Sequence, residues 1–316
     1  MNKVLIAGGL GFIGNVLAKE FLRNDWSVSI IDNETTYNVY EELLHNKKMM
    51  LRKQGLEDAT IYDADIFNAI EINKIVTLVR PTVIINLANM PIASVAVEQP
   101  ILASDTMIHG LLGLLEAAKN NTVSRFVNVS SSMVYGDFLT DPVLEDQSCN
   151  PREIYGNLKV AGERLVMSYY KLHNLPYTII RPSACYGPSG NEAFVITKFL
   201  KEAISGGTIK IHGINTKLDF TYVTDIAHGI FLASTSVNAI NETFNITCGH
   251  KCSLVEVAEI LKDWYPKLSV ITADANKLYP KRGQLSIEKA HRLIGYQPEV
   301  HINQGLELFN EWLLNF

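Results

Sequence analysis

The stretch KVLIAGGLGFIG, residues 3–14, decides the fold of this chain. Its first part, Lys3–Ala7, is a short apolar run that leads without a break into glycines at positions 8, 9, 11 and 14. Glycine permits a tight turn, close approach of the backbone to a pyrophosphate and close packing of a helix on a strand. A helical pattern, Phe12–Arg23, begins there, so free N–H groups and a positive dipole end would face the phosphates. The stretch predicts a strand–turn–helix unit that binds a dinucleotide.

Acidic residues close the next two predicted strands. Asp32 ends the second strand, where a carboxylate accepts hydrogen bonds from the adenosine ribose and repels a 2′-phosphate. No arginine follows Asp32 in the next several residues, so the sequence favours NAD over NADP. Asp65 ends the third strand and has two interpretations: it lies at the adenine edge of the cofactor, or it caps the next helix.

Short apolar runs alternate with helical patterns as far as Arg181, which is typical of βαβ units in a parallel sheet. We predict strands at Lys3–Ala7, Ser27–Asp32, Thr60–Ala64, Thr82–Leu87, Arg125–Val129 and Tyr177–Arg181. We predict helices at Phe12–Arg23, Ala69–Val79, Ile101–Lys119 and Glu153–His173. The segment Asn33–Ala59 has no clear strand. The fold class is therefore α/β, with a doubly wound parallel sheet of the Rossmann type.

The alternation breaks after Arg181, where prolines and glycines interrupt the chain. We expect a smaller C-terminal α/β domain for the substrate, with helices near Phe194–Ser205 and Leu254–Trp264. The segment Phe220–Ala233 returns to the first domain. The predicted domains are thus interleaved: residues 1–181 plus about 218–248 bind the dinucleotide, and residues 182–217 plus about 249–316 bind the substrate. The last helices, Ile287–Ile294 and Asn303–Leu314, are expected to close the second domain.

Catalytic candidates follow the strand Arg125–Val129, at the carboxyl end where open α/β sheets place their chemistry. The segment SSSMVYG occupies residues 130–136, and Tyr155 and Lys159 follow at a spacing that places both on one helix face. An ammonium beside a phenol favours the phenolate, so we expect the pKa of Tyr155 to be lowered toward neutrality. A serine hydroxyl would align the substrate hydroxyl. A Tyr-x-x-x-Lys pair by itself is usually an exposed pair on a helix. The catalytic interpretation depends on its combination with the glycine-rich turn, Asp32 and the serine segment.

With these motifs the sequence resembles the extended short-chain dehydrogenases/reductases of the NAD-dependent sugar-nucleotide epimerase/dehydratase family. The resemblance rests on residues 8–14, 32, 65–66, 86–89 (NLAN), 130–136, 155–159, 181–188 (RPSACYGP), 219–223 (DFTYV) and 295–298 (GYQP). It implies that Tyr155 is the acid/base, that Lys159 tunes it, and that Ser131 assists, with Ser132 as the neighbouring candidate. It implies cofactor contacts from Gly8, Gly11, Phe12, Ile13, Gly14, Asp32, Asn33, Asp65, Ile66, Leu87, Ala88, Asn89, Tyr155 and Lys159.

Within that family, the serine segment is similar to that of the 4-epimerases. Dehydratases and decarboxylases carry acidic residues there, because they need an additional acid and base, whereas this chain has Ser132 and Met133. The resemblance implies that Tyr155 takes the proton of the sugar 4-hydroxyl while hydride passes to NAD and later returns to the other face. Two alternatives remain open: an NAD(P)H-dependent 4-ketoreductase of a nucleotide-linked keto sugar, and a non-catalytic NAD-sensing scaffold.

Several positions depart from the family pattern where the substrate would lie. The family commonly has Asn at position 184, Arg at position 218 and Asn at position 107, and this chain has Ala184, Leu218 and Met107. We expect a nucleotide-diphosphate sugar to contact Ser131, Ser132 and Tyr155, with Lys217 and Arg282 as candidates for its diphosphate.

Composition excludes other classes of function. The 28 basic and 33 acidic residues give a net charge of −5, which offers no attraction to nucleic acid. Four cysteines are too few for a disulfide framework, and the C-x3-C pair Cys248 and Cys252 lacks the second pair of a zinc site, so no metal is expected. With no signal peptide pattern and no long uninterrupted apolar run, we expect a cytoplasmic protein without a membrane partner. The resemblance implies a homodimer whose two long helices, Ile101–Lys119 and Glu153–His173, form a four-helix bundle.

Overall fold

The first part of the chain alternates strands and helices, as its sequence predicts. The computed structural model describes residues 2–35, 41–90, 92–274 and 280–316. The elements in chain order are β1 (Lys3–Ala7), α1 (Phe12–Arg23), β2 (Ser27–Asp32), α2 (Glu42–Lys53), β3 (Thr60–Asp63), α3 (Ala69–Val79), β4 (Val83–Asn86), α4 (Ala93–Glu98), α5 (Pro100–Ser104), α6 (Gly110–Asn120), β5 (Arg125–Val129), α7 (Ile154–His173) and β6 (Tyr177–Pro182).

The second part has shorter strands and helices of similar length. Its elements are β7 (Cys185–Tyr186), α8 (Val195–Ser205), β8 (Thr208–His212), β9 (Lys217–Asp219), β10 (Thr221–Tyr222), α9 (Val223–Thr235), β11 (Glu242–Ile246), β12 (Lys251–Ser253), α10 (Leu254–Trp264), β13 (Ser269–Ala273), α11 (Glu288–Ile294) and α12 (Ile302–Asn315).

A seven-stranded sheet organises the fold, with strand order β11-β6-β5-β4-β1-β2-β3. All of its strand pairs are parallel. Strand β1 lies between β2 and β4, so the strand order reverses beside it and opens a crevice at the carboxyl end of the sheet. This is the predicted doubly wound α/β fold, and the crevice lies where β1 ends and the glycine-rich turn begins.

Two hydrophobic cores cover the two faces of this sheet. On one face α1 and α9 pack against β1, β2 and β6, with Phe21 and Ile230 fully buried. On the other face α3, α6 and α7 pack against β1, β4 and β5, with Leu114 and Phe126 fully buried. A third core joins α8, α10 and α12 with the short strand pairs β8–β13 and β7–β10. The division into interleaved domains stays a prediction.

Three details differ from the sequence predictions. The segment Asn33–Ala59 contains the unpredicted helix α2. Helix α11 belongs to the core of the large sheet through Ala290 and Ile294, so placing it against the second domain is wrong; its apolar residues face β11. The predicted helix Ile101–Lys119 is not one continuous α-helix, because a π-helical turn, Asp105–His109, separates α5 from α6.

The helical run Pro100–Asn120 is long and apolar enough to cross a membrane by length and composition. Of its most apolar window, 56% is buried inside the protein. Burial of this kind is typical of a core helix that packs on a sheet.

Candidate active site

The glycine-rich turn after β1 leaves no room for side chains. Gly8 has a φ of +79°, and a Cβ atom there would lie 2.7 Å from the amide nitrogen of Ala88. A Cβ atom at Gly14 would overlap the carbonyl oxygen of Gly8 and lie 2.8 Å from the Gly9 Cα atom. Helix α1 begins at Phe12 without a side-chain cap from Gly11. The turn is therefore shaped to bring a ligand's phosphates against a helix N-terminus.

A cavity opens beside this turn at the carboxyl end of the sheet. Most of the predicted cofactor residues line it: Gly8, Gly11, Phe12, Asp32, Asn33, Asp65, Ile66, Leu87, Ala88 and Asn89. Ile13 and Gly14 follow in the first turn of α1, while Tyr155 and Lys159 belong to α7 and are not among the lining residues. The structure thus brings together residues from the ends of four strands, as the sequence predicts.

Asp32 is fixed at the rim of this cavity by two backbone groups. Its carboxylate accepts hydrogen bonds from the N–H groups of Leu10 (2.8 Å) and Glu34 (2.9 Å). Burial raises the pKa of Asp32, and these two hydrogen bonds oppose that rise. The carboxylate is held against the glycine-rich turn, at the position where it can accept further hydrogen bonds from ribose hydroxyls.

The structure favours one of the two interpretations of Asp65. The cap of helix α3 is Asn68, whose side chain accepts a hydrogen bond from the N–H of Glu71 at 3.2 Å. Asp65 instead accepts hydrogen bonds from the N–H of Phe67 and from the Asn33 amide, both at 3.0 Å. The helix-cap interpretation of Asp65 is therefore wrong, and its side chain lies on the cavity wall.

Ser131, Tyr155 and Lys159 lie together at the carboxyl end of β5. Ser131 precedes a short 3₁₀ turn, Ser132–Tyr135, and its hydroxyl accepts a hydrogen bond from the N–H of Met133 at 3.2 Å. The Tyr155 side chain lies beside Ser131, which opposes the rise in its pKa. The Lys159 ammonium lies 5.5 Å from the centre of the Tyr155 ring and donates to the Val129 carbonyl at 2.8 Å. The three predicted catalytic residues thus form one cluster.

Protonation of this cluster differs from the sequence prediction. Burial raises the pKa of Tyr155 to about 12, although the Ser131 side chain and the charge of Arg282 oppose the rise. Burial lowers the pKa of Lys159 to about 7, and the Glu163 carboxylate opposes that fall. The predicted lowering of the pKa of Tyr155 by Lys159 is wrong here, because the ammonium points to a backbone carbonyl and desolvation outweighs charge. Tyr155 is therefore a neutral phenol at pH 7.

Arg282 reaches the cluster from the distant C-terminal segment. Its Nη2 atom donates to the hydroxyls of Ser132 and Ser183, both at 2.8 Å. Its Nε atom is buried without a hydrogen-bond partner among the described residues. Lys217, the other predicted diphosphate candidate, lies exposed on β9, and its charge acts on Asp141 and Glu256 rather than on Tyr155. The structure brings Arg282 and Ser132 to the catalytic cluster and leaves Lys217 outside it.

The sequence interpretation missed several residues that line the cavity, and four of them come from outside the glycine-rich turn and the segments that follow the strands. They are Arg52 from α2, Thr106 from the π-helical turn, and Asn191 and Phe194 from the segment before α8. Arg52 donates to the Leu10 carbonyl at 3.3 Å and to the Ser189 carbonyl at 2.6 Å. The run KKMMLRK at residues 47–53 is compatible with a helix and could have indicated α2. Arg52 is far from Asp32 in the sequence, however, so the sequence does not show that both line one cavity.

These features fit a dinucleotide. The turn admits only glycine at its two closest approaches, the helix N-terminus offers N–H groups to phosphates, and Asp32 offers a carboxylate to a ribose. Residues 8–14 would hold the pyrophosphate of NAD, Asp32 the adenosine ribose, and Asp65 with Ile66 would border the adenine.

Comparisons with known proteins agree with this site. The family model of the NAD dependent epimerase/dehydratase family matches residues 4–247. A putative UDP-glucose 4-epimerase of Methanocaldococcus jannaschii is 30% identical over 99% of this chain and 98% of its own length. Among solved structures, the UDP-glucuronic acid 4-epimerase of Bacillus cereus, in complex with UDP-glucuronic acid and NAD, has a TM-score of 0.91 at 26% identity over 99% of both chains. The UDP-glucose 4-epimerase of Thermotoga maritima with UDP-glucose has a TM-score of 0.88 at 26% identity, again over 99% of both chains.

Proposed function

Because the chain belongs to the NAD-dependent epimerase/dehydratase family, we propose that it epimerises a UDP-linked sugar at carbon 4 through a transient 4-keto sugar. The single observation that carries the proposal is the cluster of Ser131, Tyr155 and Lys159 at the end of β5, beside a cavity that fits NAD. The relatives named above match this chain over almost their whole length, and they are two UDP-sugar 4-epimerases and one putative UDP-glucose 4-epimerase.

Tyr155 is the proton carrier in this proposal. Its side chain lies beside Ser131, whose hydroxyl would align the sugar 4-hydroxyl. NAD, when bound, supplies a hydride acceptor and a positive charge on its nicotinamide ring. Tyr155 must first release its own proton to solvent, which the nicotinamide charge would favour. Its phenolate then accepts the proton of the 4-hydroxyl on the way to the ketone and returns it after the sugar has turned over. Lys159 is held by the Val129 carbonyl, and its ammonium would contact the nicotinamide ribose.

The residues around Tyr155 support epimerisation over loss of water. Ser132 is buried, and its hydroxyl accepts a hydrogen bond from Arg282. Met133 is buried within the 3₁₀ turn. Neither side chain supplies the additional acid and base that a dehydratase needs at these positions.

Arg282 is the proposed anchor for the anionic part of the substrate. Its guanidinium is steered by Ser132 and Ser183, and the buried Nε donor has no partner among the described residues. A buried donor without a partner is costly unless a ligand satisfies it. Ala184 follows Ser183 in the sequence and adds no charge there, so Arg282 carries more of the recognition than it would beside a further basic residue.

A panel of nucleotide sugars tests the proposal. UDP-glucose, UDP-glucuronate and UDP-N-acetylglucosamine, with GDP-, CDP- and dTDP-sugars as controls, are incubated with the purified protein without added cofactor. We expect NMR to show the 4-epimer of at least one UDP-sugar, and Tyr155→Phe to abolish turnover while NAD remains bound. Stoichiometric consumption of added NADH or NADPH would instead identify a 4-ketoreductase, and full turnover by Tyr155→Phe would refute the role of Tyr155.

We further propose a cytoplasmic homodimer that makes precursors for glycans or polysaccharides. Apolar side chains on α5 and α7 support the dimer, since Ile101 and Leu172 are 78% and 74% exposed. Two such helices from each copy would form a four-helix bundle. Light scattering of the purified protein tests this: we expect the mass of two chains, and Leu172→Asp should shift it toward one.

A further inference from the structure

We propose that Asn191 is a cofactor-binding residue whose side-chain amide donates a hydrogen bond to the diphosphate of the bound dinucleotide. Asn191 lies outside the glycine-rich turn and follows β7 in the part of the chain predicted to bind the sugar nucleotide. The inference rests on the cofactor binding within the proposed function and does not depend on which sugar is epimerised.

The first observation is a buried donor that lacks a partner. Asn191 is only 2% exposed, and it lines the same cavity as Gly8, Gly11 and Asp32. Its Oδ1 atom accepts a hydrogen bond from the N–H of Ala193 at 2.8 Å, which fixes the orientation of the amide. Its Nδ2 atom is buried without a hydrogen-bond partner in the described parts of the chain. A native protein leaves few such donors unsatisfied, and a donor on a cavity wall is satisfied when the cavity is filled.

The second observation is that this segment is docked on the glycine-rich turn. The ring centres of Phe194 and Phe12 lie 6.0 Å apart, and Gly190 packs beside the Phe12 ring. Phe12 is the first residue of α1, the helix whose N-terminus faces the phosphates. Asn191 lies between Gly190 and Phe194 in the sequence, so its amide is held next to the phosphate-binding end of the cavity.

Helix α2 holds the segment in place from the other side. The Lys48 ammonium donates to the Gly190 carbonyl and lies 2.7 Å from the Glu192 carboxylate. The Arg52 guanidinium bridges the Ser189 carbonyl and the Leu10 carbonyl of the glycine-rich turn. Both basic side chains are buried. Arg52 also lines the cavity, so one positive charge lies in the same cavity as the Asn191 amide.

An isosteric substitution gives the sharpest test. Asn191→Asp keeps the oxygen that accepts from Ala193, and replaces the free donor by an anionic oxygen that repels a diphosphate. A hydrogen bond to a charged group corresponds to about a 10- to 100-fold change in affinity. For Asn191→Asp we therefore expect the NAD concentration that gives a half-maximal rise in Tm to increase at least about tenfold. We also expect the purified holoenzyme to retain less NAD after gel filtration.

A matched control separates binding from folding. Thr197→Val removes another buried side-chain oxygen that has no partner among the described residues, and Thr197 is absent from the cavity wall. We expect this variant to keep the wild-type affinity for NAD. Asn191→Ala should weaken NAD binding less than Asn191→Asp, because it removes the donor without adding a charge.

UDP is titrated in parallel, because the sugar nucleotide also carries a diphosphate. We expect the affinity for UDP to be the same in Asn191→Asp and in the wild type. Weakened UDP binding with unchanged NAD binding would overturn the assignment to the cofactor, and unchanged binding of both would overturn any role in binding. If the wild-type protein bound and retained NAD without epimerising any sugar, the proposed reaction would fail while this inference still stood.

Discussion

The Arg181 guanidinium and the Glu163 carboxylate form a two-pronged ion pair in the protein interior, with Nε–Oε1 and Nη2–Oε2 distances of 2.9 and 2.7 Å. Glu163 lies one helical turn after Lys159 on α7, and Arg181 lies on β6. Arg181 also donates to the Tyr135 hydroxyl at 3.0 Å, at the end of the turn that begins with Ser132. The pair therefore ties the catalytic helix to the serine segment.

Removing the Glu163 carboxylate should change the pH dependence of turnover as well as stability. Glu163→Gln leaves the charge of Arg181 buried and unpaired, which costs about 3–5 kcal/mol of unfolding free energy. Because Glu163 opposes the lowering of the pKa of Lys159, that pKa should fall further. The limb of the pH–rate profile that reports loss of the Lys159 proton should move to lower pH.

The double variant Glu163→Gln with Arg181→Met provides the control, because it removes both charges. In this double variant, the limb of the pH–rate profile that reports loss of the Lys159 proton should return toward its wild-type position. If Glu163→Gln lost activity with its pH profile unmoved, the pair would be purely structural.

Lys159 should also contribute to the pH dependence of stability. Burial lowers its pKa in the folded protein from 10.5 to about 7. Between these values the unfolded chain binds more protons than the folded one, so the free energy of unfolding rises with pH, by at most about 1.4 kcal/mol per pH unit. Lys159→Met should lose this rise, as measured by urea denaturation from pH 7 to pH 10. Parallel curves for the two proteins would contradict a lowered pKa for Lys159.

Substitution of two glycines by alanine should distinguish the effect of steric overlap from the effect of backbone strain. Gly14→Ala should abolish NAD binding, because the added methyl group would overlap the backbone of Gly8 and Gly9. Gly295→Ala is the matched control: Gly295 has a φ of +71° after helix α11, and a Cβ atom there meets no heavy atom of the described structure within 4 Å. That variant should lose only about 1–2 kcal/mol of stability and keep its cofactor. Thermal unfolding with and without NAD measures both effects.

Asp32 and Arg52 together should determine the choice between NAD and NADP. Asp32 repels a 2′-phosphate, and Arg52 lines the same cavity and acts electrostatically on Asp32. Asp32→Asn should raise the ratio of NADP to NAD affinity about tenfold, equivalent to about 1.4 kcal/mol. Adding Arg52→Gln should cancel most of that gain in a titration of both cofactors. A ratio that stayed constant in Asp32→Asn would show that the carboxylate does not discriminate.

The sequence predicts those parts of the fold and site that depend on local pattern. The strands β1, β2 and β5 have the predicted bounds, because buried parallel strands are short apolar runs between turns. The carboxyl ends of parallel strands lie along one edge of the sheet, so the sequence could place Asp32, Asp65 and Ser131 at that edge.

What the sequence does not reveal depends on docking and burial. Asn191 and Arg52 reach the cavity because α2 binds the segment at Ser189 and Gly190, and no periodicity encodes that contact. The pKa of Tyr155 depends on whether desolvation or the neighbouring ammonium dominates. Spacing places Lys159 on the same helix face, but only the structure shows that its ammonium points to the Val129 carbonyl.

Helix α11 has a consequence for synthesis of the chain. It lies near the C-terminus, yet Ala290 and Ile294 complete the same core as Val4 and Ile30 from the first strands. Domains generally fold from the N-terminus as the ribosome produces them, but here β11, an edge strand of the same sheet, must wait for a later segment before its apolar surface is covered. A nascent chain that stops before Glu288 would leave that surface exposed and prone to aggregate. Synthesis of α11 is thus the step that completes the core on this face of the sheet.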